Sequence, residues 1–468
     1  MRKSHSCVGR NPAARAAQIA MCFAGMTLAG CMVGPDYKRP DVGVPAAFSE
    51  PASTAKPSIP PQWWSLYNDP LLEQLVRDGL ERGADVKLAA ARVEEAQAAL
   101  REARALLFFP EIDGTAGASR SRTIQFGTAN NFNLGVSTSF EIDLWGKLRR
   151  AERSVQDQLL ASEYGRDTVA ITLAATIART YFTARSLDSQ YIASREILQA
   201  TTESLSLARK RLDAGLTSGL DVYQAESLRS AASAQTKEIA RQRAAIVHQL
   251  GLLTGRMDLR IDAKDINGLP IPPLPPAGLP SDLLERRPDV KQAEAQLEAA
   301  TERIGVAKAA QFPTLRLTGS FGVQSSELDS LLSPGSTVWS VGAGLLGPIL
   351  DGGRYRARTA QAEAQAKQAQ AVYQRAVETA FRDVADALSN VRLAADTETD
   401  LITRLDASRN ALRLAQRRYE QGYSAYIEVL DAQRTLNDAQ LQFIRNRQAY
   451  LTYTVDLMNS LGGGWAGV

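Results

Sequence analysis

Between Pro110 and Pro270, and again after Pro348, this chain carries no proline, although it has 20 of them elsewhere. An interior proline removes a helical hydrogen bond and clashes with the preceding turn, so only such gaps can hold long helices. Residues 144–213 and 352–421 fall inside the two gaps and have helical composition throughout. With about 70 residues at about 1.5 Å each, either helix would extend about 105 Å. No ordinary globular domain accommodates that length.

The two gaps hold related text. Around Gly215 the chain reads LARKRLDAGLTSGLDVYQAE, and around Gly422 it reads LAQRRYEQGYSAYIEVLDAQ. Leu207, Ala208, Arg211, Gly215, Val222 and Ala225 recur as Leu414, Ala415, Arg418, Gly422, Val429 and Ala432, all at an offset of 207. Farther out, LLFFPEIDGTAG answers AAQFPTLRLTGS, and FEIDLWGKLRRA answers PILDGGRYRARTA. A duplicated half implies one architecture built from two similar units. The expected order is a first repeat over 66–264, a Pro-rich linker over 265–280 and a second repeat over 281–468. Gly215 and Gly422 suit the positive φ that ends a helix, so shorter helices are expected to return over 220–254 and 425–461.

In the second long helix Ala362, Ala366, Ala369, Tyr373, Ala376, Ala380 and Val384 form one stripe, and Ala360, Ala364 and Ala371 begin another beside it. Two narrow stripes suit a helix that touches neighbours on two sides, as in a tube wall. A simple two-stranded coiled coil explains only one. The aromatic content of 6% agrees with close-packed helices rather than a thick core.

Between the helices the period changes. Phe132, Leu134, Val136, Thr138, Phe140 and Ile142 alternate with Asn133, Gly135, Ser137, Ser139 and Glu141, and residues 113–124 offer a weaker partner. The second half has Leu315, Leu317, Gly319, Phe321 and Val323, then Trp339, Val341, Ala343 and Leu345. Such alternation reads as strands wet on one face. The segments reach the roughly 9–11 residues that a transmembrane strand needs. Four strands cannot close a barrel, and open edges are not tolerated in lipid, so strands entering a membrane would require oligomerisation. A trimer would supply twelve; a soluble four-stranded sheet is the alternative. The expected fold is mainly α with a small β part: long antiparallel helices forming a coiled-coil tunnel, a strand pair over 113–143, and strands over 314–347.

Residues 1–30 have the layout of a secretory signal, with Arg2, Lys3, Arg10 and Arg15 ahead of a short apolar run. Leu28, Ala29, Gly30 and Cys31 match a bacterial lipobox, in which the cysteine is acylated; an ordinary signal with an incidental cysteine is the other reading. Met32 rather than an aspartate follows, a pattern resembling lipoproteins sent to the outer membrane. Acyl chains anchor a protein to a leaflet without spanning it. Cys7, Cys22 and Cys31 are the only cysteines, so the mature chain would hold no disulfide. Loss of four basic and no acidic residues takes the formal charge from +3 to −1, which gives no footing for nucleic acid. Residues 31–65 then read as a lipidated, Pro-rich leader. No nucleophile elbow, phosphate loop or metal-ligand spacing is present, and His248 is the one histidine after the signal. Neither enzyme activity nor a cofactor is expected beyond a diacylglycerol and an N-acyl chain on Cys31.

The run C-M-V-G-P-D-Y-K-R-P after the lipobox, WWSLYNDPLLEQLV at 63–76, LLERRPDV at 283–290 and the two helix-turn motifs together resemble the TolC-like outer-membrane efflux channels, in their lipidated, OprM-like branch. The resemblance implies a homotrimeric twelve-strand barrel over a long periplasmic helical tunnel, with a collar in which Trp63 and Trp64 pack. It implies a periplasmic adaptor and a proton-driven inner-membrane transporter as partners. It places the two turns at the periplasmic tip. There Asp221, Tyr419, Glu428 and Asp431 would line the aperture, and Gly215, Leu216, Thr217, Gly422, Tyr423 and Ser424 would dock the adaptor. In a trimer Glu428 and Asp431 would supply six carboxylates, which attract cations and hinder anions. The plainer reading is that acids near a helix start favour its dipole by about 0.3–1 kcal/mol. Ser424 stands where TolC has an arginine that helps lock the tip, so that lock is not expected here in the same form. A duct for type I protein secretion and a non-conducting coiled-coil lipoprotein scaffold are the rival functions.

Overall fold

The computed structural model describes residues 32–43, 45, 48, 59–124, 127–276 and 282–465. The signal segment, Cys31 and residues 277–281 at the end of the Pro-rich linker lie outside them.

Helices α1 (Pro70–Arg82) and α2 (Ala84–Phe108) lead into strands β1 (Glu111–Thr123) and β2 (Gly127–Ile142). Helices α3 (Lys147–Asp213) and α4 (Gly219–Thr254) complete the first repeat. The second contains α5 (Leu283–Arg286), α6 (Pro288–Ala309), β3 (Thr314–Ser325), β4 (Thr337–Leu346), α7 (Arg354–Glu420) and α8 (Tyr426–Ser460). The two long helices each have 67 residues. Both start slightly later than composition alone implies. Gly146 at φ +75 and the Asp143 carboxylate, which accepts the Arg149 amide at 3.0 Å, hold the chain in a turn before α3. Before α7, Gly352 and Gly353 take positive φ, and Asp351 accepts the amides of Gly353 and Tyr355 at 3.0 and 2.9 Å.

The chain divides into two compact units, each drawing pieces from both repeats. One comprises Met1–Pro40, Glu94–Ala161 and Ala293–Tyr373, and so contains every strand. Its sheet is antiparallel in the order β1-β2-β3-β4, and the β2–β3 pairing, from Phe132↔Ser325 to Ile142↔Leu315, joins the two repeats. The register lines up one apolar face. Gly114, Val136, Phe321 and Trp339 form one cross-strand row, and Ile112, Thr138, Gly319 and Val341 the next. Asp113, Ser137, Ser320 and Ser340 form a row on the opposite face. Side chains of successive strand residues point to opposite faces, so the sheet has an apolar and a polar side. Phe321, Trp339, Val341 and Leu345 are exposed on the apolar side, and β1 and β4 are edges. Gly135 and Gly322 sit opposite each other. A Cβ on Gly135 would lie 2.8 Å from Phe321 O, and one on Gly322 would lie 2.5 Å from Leu134 O.

The helical part of this unit packs through small residues. Ala300 and Ile304 of α6 meet Ala362 and Ala366 of α7, the start of the first alanine stripe. Ala360, Ala364 and Ala371 of the second stripe are exposed in the single chain.

The other compact unit comprises Asp41–Val93, Ser162–Gln292 and Gln374–Val468. Its core joins Trp63 and Tyr67 of a 3-10 turn, Leu72 and Leu75 of α1, Ile177 and Phe182 of α3, Leu250 of α4, and Leu451 and Val455 of α8. Trp63 is 1% exposed, so it packs in the core as the resemblance implies. Asp69 caps α1 through the Leu71 amide at 2.9 Å and accepts the Tyr181 hydroxyl. Burial, reinforced by that carboxylate, pushes the Tyr181 hydroxyl above the ordinary tyrosine range. Gly462, Gly463 and Gly464 all take positive φ and close α8 against Arg286, Ile171 and Pro60, which makes the triple glycine a helix cap.

Candidate pore aperture at the helix turns

The two turns repeat each other bond for bond. After α3, Ala214 N donates to Lys210 O, Gly215 N to Leu212 O, and Leu216 N to Arg211 O at 2.8 Å. After α7, Gln421 N donates to Arg417 O, Gly422 N to Tyr419 O, and Tyr423 N to Arg418 O at 2.8 Å. Each set reaches back five residues from the residue beyond the glycine, the bond that closes a Schellman-type helix end. Gly215 has φ +67 and Gly422 φ +76. The next helices begin alike, with Asp221 N donating to Ser218 O and Glu428 N to Ala425 O, both at 3.2 Å. Asp221 and Glu428 are therefore the same position of the repeat, and so are Thr217 and Ser424.

Side chains then distinguish them. Asp221 accepts the Thr217 hydroxyl and stays within its own turn. Ser424 Oγ is enclosed without a hydrogen-bond partner, and Glu428 pairs instead with Arg418 at 3.6 Å. Asp431, one turn farther along α8, faces Arg434 at 4.0 Å with both side chains exposed.

Tyr419 does not stand alone. Its ring centroid is 5.2 Å from that of Tyr426, and the Arg211 guanidinium lies 4.6 Å from its centre. Arg211 also donates to Glu420 O at 3.4 Å. A guanidinium over an aromatic face is attracted by the ring quadrupole. Tyr426, Val429 and Leu430 of α8 pack with Leu205 and Ala208 of α3 and Ala225 of α4. Burial, with Tyr419 and Asp221 nearby, raises the Tyr426 hydroxyl above its usual range.

The structure thus sets Tyr419 against Tyr426 and Arg211, pairs Glu428 separately with Arg418 across α7 and α8, leaves Asp431 on an exposed face, and bonds Asp221 to Thr217 of its own turn. Leu216 and Tyr423, equivalent in the repeat, are each 76% exposed. Arg211, Arg418 and Tyr426 are the partners of these residues that sequence reasoning passed over. The two arginines were visible as matched positions of the repeat, but nothing in the text said what they would touch.

The model of the outer membrane efflux protein family matches residues 75–256 and 279–463, so the chain belongs to that family. It is an outer-membrane efflux protein. The solvent efflux pump outer membrane protein SrpC of Pseudomonas putida is 34% identical over 469 residues, covering 95% of this chain and 97% of SrpC. The probable outer membrane lipoprotein SilC of Salmonella typhimurium is 30% identical, covering 94% of this chain and 96% of SilC. The crystal structure of the open state of the Neisseria gonorrhoeae MtrE outer membrane channel superposes with a TM-score of 0.84 at 29% identity, covering 93% of this chain and 98% of that one. The tunnel-and-strand class expected from the sequence is therefore the class of its structural relatives.

Proposed function

We propose that three copies of this chain form the passive exit duct of a tripartite efflux pump. A periplasmic adaptor and a proton-driven inner-membrane transporter deliver cargo and energy. The observation that carries this reading is the sheet, which has one exposed apolar face, one polar face and two open edges. A non-conducting scaffold has no use for such a sheet, whereas strands from three copies close into a barrel with a polar interior. Among the described residues no helix is long and apolar enough to cross a membrane. The exposed second alanine stripe supplies a helix face for a neighbouring copy. SrpC's description as part of a solvent efflux pump favours small molecules over secreted proteins as cargo.

In this reading Tyr419, Glu428 and Asp431, with Asp221, ring the periplasmic aperture, and the chain itself catalyses nothing. Leu216, Thr217, Tyr423 and Ser424, carried by the turns at Gly215 and Gly422, meet the adaptor. A neighbouring groove of about 430 Å³, lined by Tyr223, Leu228, Ile427 and Arg434 among others, offers room for its side chains. Cys31 carries the diacylglycerol and N-acyl chains.

Single-channel conductance in planar bilayers tests the proposal, comparing wild type with the double variant Glu428→Ala, Asp431→Ala. The expected result is discrete cation-preferring openings, larger and less selective in the variant. Equal conductance from a correctly folded variant removes the aperture role. Silence from both, with trimers present in the bilayer, favours the scaffold.

A further inference from the structure

Arg150, four residues into α3, is the most enclosed arginine among the described residues, with its side chain 1% exposed. Its Nη1 donates to both carboxylate oxygens of Glu302 on α6 at 3.0 Å and to Pro35 O at 3.0 Å. Its Nη2 donates to the Asp36 carboxylate at 2.9 Å and to Gly34 O at 3.4 Å. One buried guanidinium thus binds α6 and three consecutive residues of the N-terminal segment. The same segment is held at both ends. Val33 N donates to Trp145 O at 3.1 Å, and Arg39 grips Glu294 of α6 through Nε and Nη2 at 2.5 and 2.9 Å, with the Tyr37 hydroxyl on the same carboxylate.

Three glycines make the close approach feasible. A Cβ on Gly34 would lie 2.6 Å from Gly305 Cα, one on Gly305 would lie 2.8 Å from Val33 O and from Arg150 Cδ, and one on Gly146 would lie 2.8 Å from Met32 Cγ. The groove between the start of α3 and α6 is therefore cut to fit residues 32–36. Met32 rests on Gly146, at the joint between β2 and α3. Trp145 beside it donates to Pro313 O at 2.8 Å and stacks on Phe312 at 4.7 Å, at the joint between α6 and β3.

We propose that Arg150 is the positioning residue of the membrane anchor. It seats residues 33–36 whether or not the chain is acylated, and so fixes Met32, the residue that follows the acylated cysteine in the chain, beside the joint between β2 and α3. The anchor and the near ends of the strands then meet the membrane at a set spacing rather than on a free tether. The proposal rests on acylation of Cys31 for its role, and on the arginine's contacts for its mechanism.

The test uses limited trypsin digestion of purified full-length protein, following release of the N-terminal peptide cut after Lys38 by mass spectrometry. Lys38 is exposed, but cleavage needs the surrounding segment to leave its groove, so the rate reports the open population. Removing one partner of a buried ion pair is strongly destabilising, so Arg150→Ala is expected to speed this cut on the order of a hundredfold. Arg150→Lys keeps the charge without the planar fork and should fall between. Asp36→Asn, which alters only an exposed partner, should speed the cut several-fold, and it keeps the test usable if Arg150→Ala does not fold. Cys31→Ser, exported on an ordinary signal peptide, should remain as protected as wild type. Equal cutting of wild type, Arg150→Ala and Asp36→Asn overturns the proposal. So does rapid cutting of Cys31→Ser alone, because the lipid would then be holding the segment. A released peptide of unacylated mass with protection intact refutes the anchor and leaves the seat standing.

Discussion

The two helix turns share a backbone and differ in what their side chains do with it. At the turn at Gly215 the acid is satisfied locally, because Thr217 gives its hydroxyl to Asp221. The turn at Gly422 depends on its surroundings. Glu428 reaches Arg418, Tyr419 contacts both Tyr426 and Arg211, and Ser424 Oγ is enclosed with nothing to bond. A duplicated fold can thus hold one copy of a turn as a fixed support while the other carries contacts that can be exchanged. The exchangeable copy is the one that holds three of the four proposed aperture residues.

The largest test of this contrast is Tyr426→Ala. Truncating a buried aromatic costs about 3–5 kcal/mol, and first-repeat residue Gly219 has no ring to lose at the equivalent place. Hydrogen exchange should show the first turns of α8 opening far more readily, with the first turns of α4 much less affected; equal loosening would merge the two turns into one unit. Next come Gly215→Val and Gly422→Val. Left-handed backbone costs a non-glycine residue about 1–2 kcal/mol, and the two variants should lose similar amounts in chemical denaturation. A clear inequality would show that the backbone match conceals a difference in strain.

Smaller effects separate the side chains. Thr217→Ala should cost about 1 kcal/mol through its lost hydrogen bond, whereas Ser424→Ala should be neutral or stabilising because no bond is lost. Equal costs in paired melting curves would mean that Ser424 finds a partner in the assembled protein. Least of all, Glu428→Gln should change stability by under about 1 kcal/mol, since its ion pair with Arg418 is half exposed. The effect should shrink further in high salt. A larger loss, insensitive to salt, would place that pair in a dry interface between copies.

Much of the fold was legible because its signals are local or periodic. Helical composition inside the proline-free gaps, ended by the turn glycines, placed α3 and α7 to within a few residues, and the alternation at 132–142 and 315–323 located β2 and β3 and their apolar face. The turn glycines announced their positive φ. Contacts between residues distant in the chain were not legible. Arg211 and Tyr419 meet across two helices from different repeats, and no spacing rule specifies that pair. In the sequence Arg150 is one of many helical arginines, and its burial depends on Gly34 and Gly305 letting two backbones approach. The starts of α3 and α7 were blurred because Gly146 and the Gly352–Gly353 pair end the turns in conformations that composition does not register.

The sheet's two open edges come from opposite repeats, β1 from the first and β4 from the second. Any ring built from identical copies must join the β4 edge of one to the β1 edge of the next, a head-to-tail contact that closes only when every copy offers both. A chain that lost β4 would keep its β1 edge and still accept a neighbour, while offering nothing in return. Such a fragment would not merely fail to work. It would occupy a place in the ring and disable the intact copies beside it, so excision of β4 alone, with α7 and α8 kept, should behave as a dominant poison rather than a silent loss.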